Sequence, residues 1–273
     1  MFSTEFWNEF PRWYIAIFEV SYGASTIVRA GWIDDPKRRF RREIEDPQLG
    51  ARFRSVLERR RAIEAIPQTP WRINGAVSVT LGILTALGIV SPVVSYALVC
   101  LSMGVVMTTI YVRLRNRGER RAASLAPRTA AQIVPWWLYA LAAIGALTPL
   151  PFMTNPTLVV PAAIVALVST MMIVAASMVS GMSAMLTGDD SEIELVVEDR
   201  VRSYRVGSLL FVAIALPFVF FAMGSIASAE PGPGTQLQAV AGTINAATFL
   251  GVLGWWTLCL LRKAKPADRV HVL

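Results

Sequence analysis

Long stretches without any charged residue alternate along this chain with short, strongly charged segments. No Lys, Arg, Asp, Glu or His occurs within residues 73–112, 129–187, 206–229 and 231–261. A helix needs about 20 consecutive apolar residues to cross a bilayer, whereas apolar runs of about 10–14 are typical of buried helices in soluble proteins. The pattern therefore predicts an integral membrane protein built from α-helices.

Capping residues and prolines divide the charge-free stretches into six predicted spans. Thr69-Pro70, Ser91-Pro92 and Asn155-Pro156 each place a capping residue before a proline, an arrangement typical of helix starts. The spans cover about residues 71–90, 92–112, 132–150, 157–187, 206–228 and 237–261. They form three hairpins, and the fourth span is so long that it must tilt or extend beyond the bilayer.

A basic cluster between the second and third spans fixes the predicted orientation. Residues 113–128 contain six arginines, which cannot lie in hydrocarbon, and positive charge collects on the cytoplasmic side of membranes. With this cluster inside, all 26 basic residues of the chain fall on the cytoplasmic side. The predicted fold is an all-α integral membrane protein of the plasma (inner) membrane, with six transmembrane helices and both termini in the cytoplasm.

The aromatic-rich first 33 residues have a different pattern. Glu5, Glu9, Arg12 and Glu19 form a polar stripe at helical spacing, beside a stripe of aromatic residues and Ile17. This pattern predicts a helix lying in the membrane interface, with its rings at headgroup depth. A seventh span is the alternative, and Glu19 disfavours it because a central acidic residue costs about 2.5–3.5 kcal/mol on insertion scales.

Two charged segments predict short amphipathic helices in the cytoplasm. Between residues 34 and 69, Asp35-Pro36 and Asp46-Pro47 mark two helix starts, and the second helix has an apolar face around Phe53 and Leu57. Residues 189–205 are acidic first and basic last, which complements a helix dipole before the fifth span. The chain thus divides into cytoplasmic and interfacial N-terminal helices (1–69), a transmembrane domain (70–261) and a cytoplasmic tail (262–273).

The net charge of +7 is explained by a cytoplasmic basic collar, so no nucleic-acid partner is expected. The collar is either a solvated face or a surface for anionic lipid headgroups or a protein partner. Each basic residue near anionic lipid adds about 1 kcal/mol of attraction. The candidate contact residues are Arg38, Arg39, Arg41, Arg42, Arg59, Arg60, Arg61, Arg113, Arg115, Arg117, Arg120 and Arg121.

Sequence motifs of catalysis are missing. Apart from Arg72 at the start of the first, the predicted spans contain no charged residue, which argues against proton-coupled pumps and many ion-coupled transporters. There is no P-loop, no G-x-S-x-G and no dinucleotide fingerprint, and the one histidine, His271, lies in the tail. We therefore expect no enzymatic activity and no bound cofactor.

Sulfur-containing side chains form one pattern that metal chemistry could use. Cys100, Met103 and Met107 share one face of the second span, and four methionines share a face of the fourth. Thiolate and thioether ligands together would suit Cu(I). The competing interpretation is that methionine and cysteine fill gaps between packed helices, and it is the stronger one.

Small residues at four-residue spacing predict places where helix backbones approach closely. The predicted packing residues are Gly82 with Ala86, Ala142 with Ala146, and Ser177 with Gly181. Asn245 is the most polar side chain of the predicted spans, and we expect it to bond to a neighbouring helix rather than line a substrate path.

Two functions fit this sequence. The first is a membrane-embedded or scaffolding subunit, without a catalytic site, that engages a cytoplasmic or membrane partner or a second copy of itself. The second is the permease half of an ATP-driven exporter, which needs no intramembrane charge because a separate ATPase supplies the energy. In its outline of Arg, Gly, Leu and Pro, the segment 115–128 resembles the loop after the second span of ABC-2-type exporter permeases. Those permeases usually have a larger element between spans 5 and 6 than residues 229–236 provide.

Overall fold

The computed structural model describes residues 4–29, 45, 50–63, 68–119, 134–181, 191–227 and 235–261, and these ranges are almost wholly helical, without a strand. The α-helices are α1 (Thr4–Arg29), α2 (Gly50–Ile63), α3 (Gln68–Ala86), α4 (Pro92–Glu119), α5 (Trp136–Leu147), α6 (Val159–Ser180), α7 (Ser191–Ala227) and α8 (Thr235–Leu261). A short 3-10 helix, Leu150–Thr154, follows α5. The predicted all-α class is confirmed.

Within the described ranges, four helices are long and apolar enough to cross a membrane. Their apolar runs are Pro92–Ile110 in α4, Trp136–Met153 in α5 and the 3-10 helix, Val159–Ser180 in α6, and Ile193–Met223 in α7. These runs overlap the second to fifth predicted spans, of which residues 132–133, 182–187 and 228 lie outside the described ranges. The first predicted span is helical in α3 as far as Ala86, and the sixth is helical as α8. Neither is among these four helices, and the apolar stretch described in α8 is the shorter Val240–Gly254.

The helices pack in a defined order around α6 and α7. Helix α7 packs against α5, α6 and α8, and α4 packs against α6. Helix α1 pairs with α3, and both contact α4. In the core, Phe152 meets the rings of Phe220 and Phe221 edge-on, with centroids 5.7 and 5.1 Å apart. The α1–α3 pair is thus joined to the rest of the bundle mainly through α4.

Large apolar side chains cover much of the outer surface of the bundle. Val28, Leu87, Trp136 and Leu250 are 75%, 67%, 71% and 64% exposed, respectively. Soluble monomers rarely expose large contiguous apolar patches. An apolar exterior is suited to lipid, and with the four long apolar helices it indicates a membrane protein.

A tight hairpin connects α3 to α4. Gly88 has φ +73° and donates its N–H to the Thr85 carbonyl at 3.0 Å, while Ile89 donates to the Leu84 carbonyl at 3.0 Å. These two bonds form a Schellman cap, in which the left-handed position favours glycine. The Ser91 hydroxyl then accepts the N–H of Val94 at 3.3 Å. The helix start predicted at Ser91-Pro92 is confirmed.

Residues 191–227 form one uninterrupted helix of 37 residues, with Pro217 inside it. The sequence predicted a short cytoplasmic helix leading into a span that begins near residue 206. The two segments form one helix because no helix-breaking residue separates the charged segment from the apolar one. A change from charged to apolar residues alters the surroundings of a helix without ending it.

Helix α1 lies lengthwise against α3. Arg12 lies beside Gly88 at the end of α3, and Gly23 lies beside Gly75 near the start of α3. The two helices are therefore antiparallel over most of the length of α3. The interfacial position of α1 stays a prediction, because α3 is not among the described helices that are long and apolar enough to cross a membrane.

The burial of α1 also differs from the predicted amphipathic pattern. Glu19, from the predicted polar stripe, is fully buried, whereas Trp13 and Ile17 are 48% and 64% exposed. Helical spacing identifies the stripe correctly but does not determine which side of the helix the rest of the protein covers.

Candidate functional site in the helix bundle

Glycines let the backbones of α1 and α3 touch. A Cβ atom at Gly23 would lie 2.5 Å from the Gly75 carbonyl oxygen, and one at Gly75 would lie 2.7 Å from the Gly23 carbonyl oxygen. A Cβ at Gly82 would lie 3.0 Å from the carbonyl oxygen of Ala16. Small residues permit this kind of approach between helices in membranes. The close contact places the polar side chains of α1 directly against α3 and α4.

Glu19 is the ionisable residue at this contact. Its carboxylate oxygen Oε2 accepts a hydrogen bond from the Ser95 hydroxyl of α4 at 2.7 Å. Its backbone carbonyl accepts a hydrogen bond from the Ser78 hydroxyl of α3 at 2.9 Å. The other carboxylate oxygen, Oε1, is buried without a hydrogen-bond partner among the residues that the structure describes. Glu19 therefore joins three helices, through its side chain to α4 and its backbone carbonyl to α3, and its carboxylate keeps an unused acceptor atom in the protein interior.

A second hydrogen-bonded group lies about one helical turn further along the same contact. The Asn74 amide nitrogen of α3 donates to the Tyr22 hydroxyl of α1 at 2.9 Å. The Ser102 hydroxyl of α4 donates to the Asn74 amide oxygen at 2.8 Å. Asn74 is fully buried, and both the nitrogen and the oxygen of its side-chain amide form hydrogen bonds to side chains of neighbouring helices. This group ties together the same three helices as Glu19.

These polar residues form a continuous line between α1, α3 and α4, which we call the polar seam. The polar seam consists of Glu19, Tyr22, Asn74, Ser78, Thr85, Ser95 and Ser102. From Asn74 to Thr85 it follows α3 for about 17 Å at 1.5 Å per residue, against a hydrocarbon thickness of about 30 Å. Thr85 is fully buried, and its hydroxyl has no partner within the described ranges.

The seam changes one expectation drawn from the sequence. Proton-coupled and ion-coupled classes were disfavoured because the predicted spans contain no acidic residue and no histidine. With α1 packed against α3 and α4, Glu19 is a buried acidic residue among the apolar helices. Ionisable residues in such positions are expensive, and they mark ion or proton pathways in membrane proteins.

A separate packing unit involves α2 and the first turns of α7. Three apolar residues from each helix form a small buried cluster, which with the two helix segments we call the α2–α7 unit. The cluster consists of Phe53, Val56, Leu57, Ile193, Val197 and Val201. At its edge, the guanidinium of Arg59 lies 3.7 Å from a carboxylate oxygen of Glu194. The two amphipathic faces found in the sequence therefore cover one another.

Few of the candidate basic residues have a described side chain. Arg59 is 40% exposed and belongs to the α2–α7 unit. Arg60 and Arg61 are in α2, and Arg113, Arg115 and Arg117 are in the last turns of α4. The candidates that fall outside the described ranges are Arg38, Arg39, Arg41, Arg42, Arg120 and Arg121. A role of the basic collar in lipid or partner contact stays a prediction.

The predicted packing residues lie in different environments. Gly82 is buried against α1, and Ala142 and Ala146 are buried at 0% and 4% exposure. Ser177 and Gly181 are exposed at the end of α6, and Ala86 is half-buried at the end of α3. Gly23 and Gly75, which make the closest backbone contact in the α1–α3 pair, were not among the predicted residues.

Asn245 of α8 is 1% exposed, and neither its amide oxygen nor its amide nitrogen has a partner among the described residues. The hydrogen bond across to a neighbouring helix that the sequence suggested is therefore absent from the part of the chain that the structure describes. The adjacent Thr248 hydroxyl donates to the backbone carbonyl of Asn245 at 2.8 Å.

On α4, Cys100 and Met103 are buried and Met107 packs against the same core, so these three share one packed face as predicted. Of the four methionines predicted to share a face of the fourth span, Met171 is half-buried and Met178 is 39% exposed. Met182 and Met185 lie outside the described ranges. Within those ranges, no group of three or more His, Cys, Asp or Glu side chains is placed to hold a metal ion.

Comparisons with protein-family models, with curated proteins and with solved structures find no match to this chain. Functional inference therefore depends on the geometry of the polar seam and of the α2–α7 unit.

Proposed function

We propose that this protein is a membrane-embedded subunit of a larger complex and that its α2–α7 unit engages a partner on the cytoplasmic side. The observation that carries the proposal is the packing of α2 against the first turns of α7 through a dedicated apolar cluster. The outer face of α2 presents Arg52, Arg54 and Glu58 to solvent. A charged helix held rigidly at the edge of a membrane domain is a suitable surface for a soluble protein.

The length of α7 supports the same proposal. Its 37 residues correspond to about 55 Å of helix, well beyond the roughly 30 Å of a hydrocarbon core. The segment that packs on α2 therefore continues as one rigid element into the apolar bundle. A partner bound to α2 would act directly on the membrane domain through this helix.

The test is purification from native membranes followed by quantitative mass spectrometry of bound proteins. We expect Leu57→Asp in α2 and Val197→Asp in α7 to lose the same stoichiometric partner, because each places a charge in the shared cluster. Ala24→Leu, on the exposed side of α1, is the matched control and should retain it. A partner retained by both aspartate variants would contradict the proposed docking surface.

The second candidate is the permease half of an ATP-driven exporter, and the continuous helix α7 favours it. Such a permease must transmit a movement from an ATPase at the cytoplasmic face to its membrane helices, and a helix shared by both regions would do so. An ATPase in the purified complex would support the permease. A stable complex or homo-oligomer that lacks an ATPase would support the scaffolding subunit.

The lengthwise packing of α1 supports a seventh span. With both α1 and α3 crossing the membrane, the C-terminus stays in the cytoplasm and the N-terminus lies on the opposite side. The six-span threading instead keeps both termini in the cytoplasm. A membrane-impermeant thiol reagent on intact cells distinguishes the two, with the wild-type chain as background control. Labelling of Ser3→Cys would favour seven spans, and labelling only after permeabilisation would favour six.

A further inference from the structure

Among the residues that the structure describes, no positive charge is paired with Glu19. Its single carboxylate hydrogen bond comes from Ser95, and it forms no ion pair within the described part of the chain. The nearest basic residue on α1, Arg12, is two helical turns away, beside the turn at Gly88. An ionised carboxylate without a partner is costly to bury, and such groups are neutralised in practice. A bound cation would neutralise it, and a proton is the smallest cation available.

The groups that face Glu19 favour a proton over a metal cation as its ligand. Helix α3 presents Asn74, Ser78 and Thr85 on its buried face, and none of these side chains titrates. Helix α4 presents Tyr96 and Cys100, both close enough to interact electrostatically with Glu19. The titratable group next to Glu19 on α1 itself is Tyr22, whose hydroxyl accepts the Asn74 amide. These groups provide hydroxyls, a thiol and amides, but no second carboxylate that would help to hold a metal cation.

We propose that Glu19 is a reversible proton-binding site at the centre of the polar seam. The carboxyl group gains a proton on Oε1, the oxygen without a partner, while Oε2 keeps its hydrogen bond from Ser95. Loss of that proton leaves a carboxylate in the contact between α1, α3 and α4. The seam supplies further hydroxyl groups on both sides of Glu19, at Thr85 towards the hairpin and at Tyr22 and Ser102 towards the other end of α3. A proton-coupled step in the membrane domain is the activity that this site would serve.

This proposal does not depend on the α2–α7 unit or on a partner. It concerns the buried contact of α1 with α3 and α4, which is present whichever side of the membrane carries the N-terminus. Failure of the docking proposal would leave it untouched, and its own failure would leave docking untouched.

Infrared difference spectroscopy of the purified full-length protein, between acidic and alkaline buffers, tests the site. We expect a pH-dependent carbonyl band of a protonated, buried carboxyl group, shifted in D2O and lost in Glu19→Gln. Ser95→Ala should keep the band but shift its frequency, because it removes the hydrogen bond to Oε2. Ser177→Ala is the matched control, since its hydroxyl bonds to the Ile173 carbonyl of its own helix and it should change nothing.

Several results would overturn the proposal. They are a wild-type spectrum with no pH-dependent band of this kind, a band that persists in Glu19→Gln, and a band that Na⁺ abolishes at constant pH. The last would identify a metal cation as the ligand. If Glu19→Gln does not fold, as judged by size-exclusion chromatography and circular dichroism, the band frequency of the Ser95→Ala variant tests the proposal instead. An unchanged band frequency in that variant would assign the proton to another group.

Discussion

At the scale of single residues, the close contact between α1 and α3 depends on two glycines. Gly23 and Gly75 face one another so closely that a side chain on either would run into the other backbone. Membrane helices gain little from the hydrophobic effect when they associate, so backbone packing and hydrogen bonds hold them together. Gly23 therefore positions Glu19 and Tyr22 against α3 and α4.

Replacement of Gly23 tests this dependence. We expect Gly23→Leu to lower the thermal unfolding midpoint in detergent by several degrees, because overpacking of a tight contact costs about 1–3 kcal/mol. Ala24→Leu is the matched control, since residue 24 is exposed and its larger side chain would face lipid. Equal midpoints for the two variants would mean that the glycine contact contributes nothing to stability.

Asn74 is the second residue on which the seam depends. Asn74→Leu removes the amide that connects Tyr22 to Ser102 and leaves the hydroxyls of these two half-buried residues without that partner. Each unsatisfied buried group costs about 1–3 kcal/mol, so we expect a clear loss of thermal stability. Thr170→Val, which alters an exposed hydroxyl bonded to its own helix, is the control. An Asn74→Leu protein as stable as wild type would show that the seam hydrogen bonds are unimportant for folding.

At the scale of elements, the two amphipathic helices found in the sequence pack against one another. The apolar face of α2 around Phe53 and Leu57 is covered by the first turns of α7. Each face was predicted from helical spacing, but their pairing was not. The two segments are more than a hundred residues apart in the chain, and spacing within one helix carries no information about its partner.

Limited proteolysis measures the docking of α2. We expect Leu57→Asp to increase tryptic cleavage at the arginines of α2, because a buried charge would release the helix from α7. Leu57 is 1% exposed in the α2–α7 unit. Ser55→Asp places the same charge on the exposed side of α2 and should leave the cleavage rate unchanged. Similar cleavage of both variants would argue against a docked α2.

At the scale of the whole molecule, two physical rules favour different positions for α1. The preference for positive charge in the cytoplasm favours six spans, because a seventh would move Arg12 to the opposite side. The antiparallel contact of α1 with α3 favours the seventh span, because it buries Glu19 and exposes apolar side chains. Arg12 is one of 26 basic residues and would be a small exception to the charge rule. The seventh span stays a proposal, which the labelling of Ser3→Cys tests.

The basic collar also makes a prediction for the whole molecule. Neutralising Arg38, Arg39, Arg41 and Arg42 together should weaken binding of the purified protein to anionic vesicles at low salt, by about 1 kcal/mol for each residue near the surface. Added salt should reduce the difference, because ionic screening shortens the range of the attraction. Vesicle co-sedimentation measures this effect, with neutral vesicles as the control. Unchanged binding to anionic vesicles would remove the proposed lipid contact.

The amino-acid sequence by itself determined the class of the protein and much of its helix layout. Charge-free runs of this length are stable only as helices in an apolar environment, and caps such as Ser91-Pro92 act within a few residues of the chain. Those effects are local, so they can be recognised without knowing what a helix touches. The predicted runs in α4, α5, α6 and α7 are accordingly the ones that the structure retains.

Only the tertiary structure decided which face of α1 is covered, and hence that Glu19 lies in the interior. The sequence held one partial signal, because Ala16, Glu19, Gly23 and Thr26 recur on one helical face and three of them are small. That spacing permits close packing but names no partner helix. Glu19 becomes a candidate site through Ser95 and Ser78, which come from two other helices. Contacts between distant segments depend on the shape of both surfaces, and a single helical pattern cannot specify them.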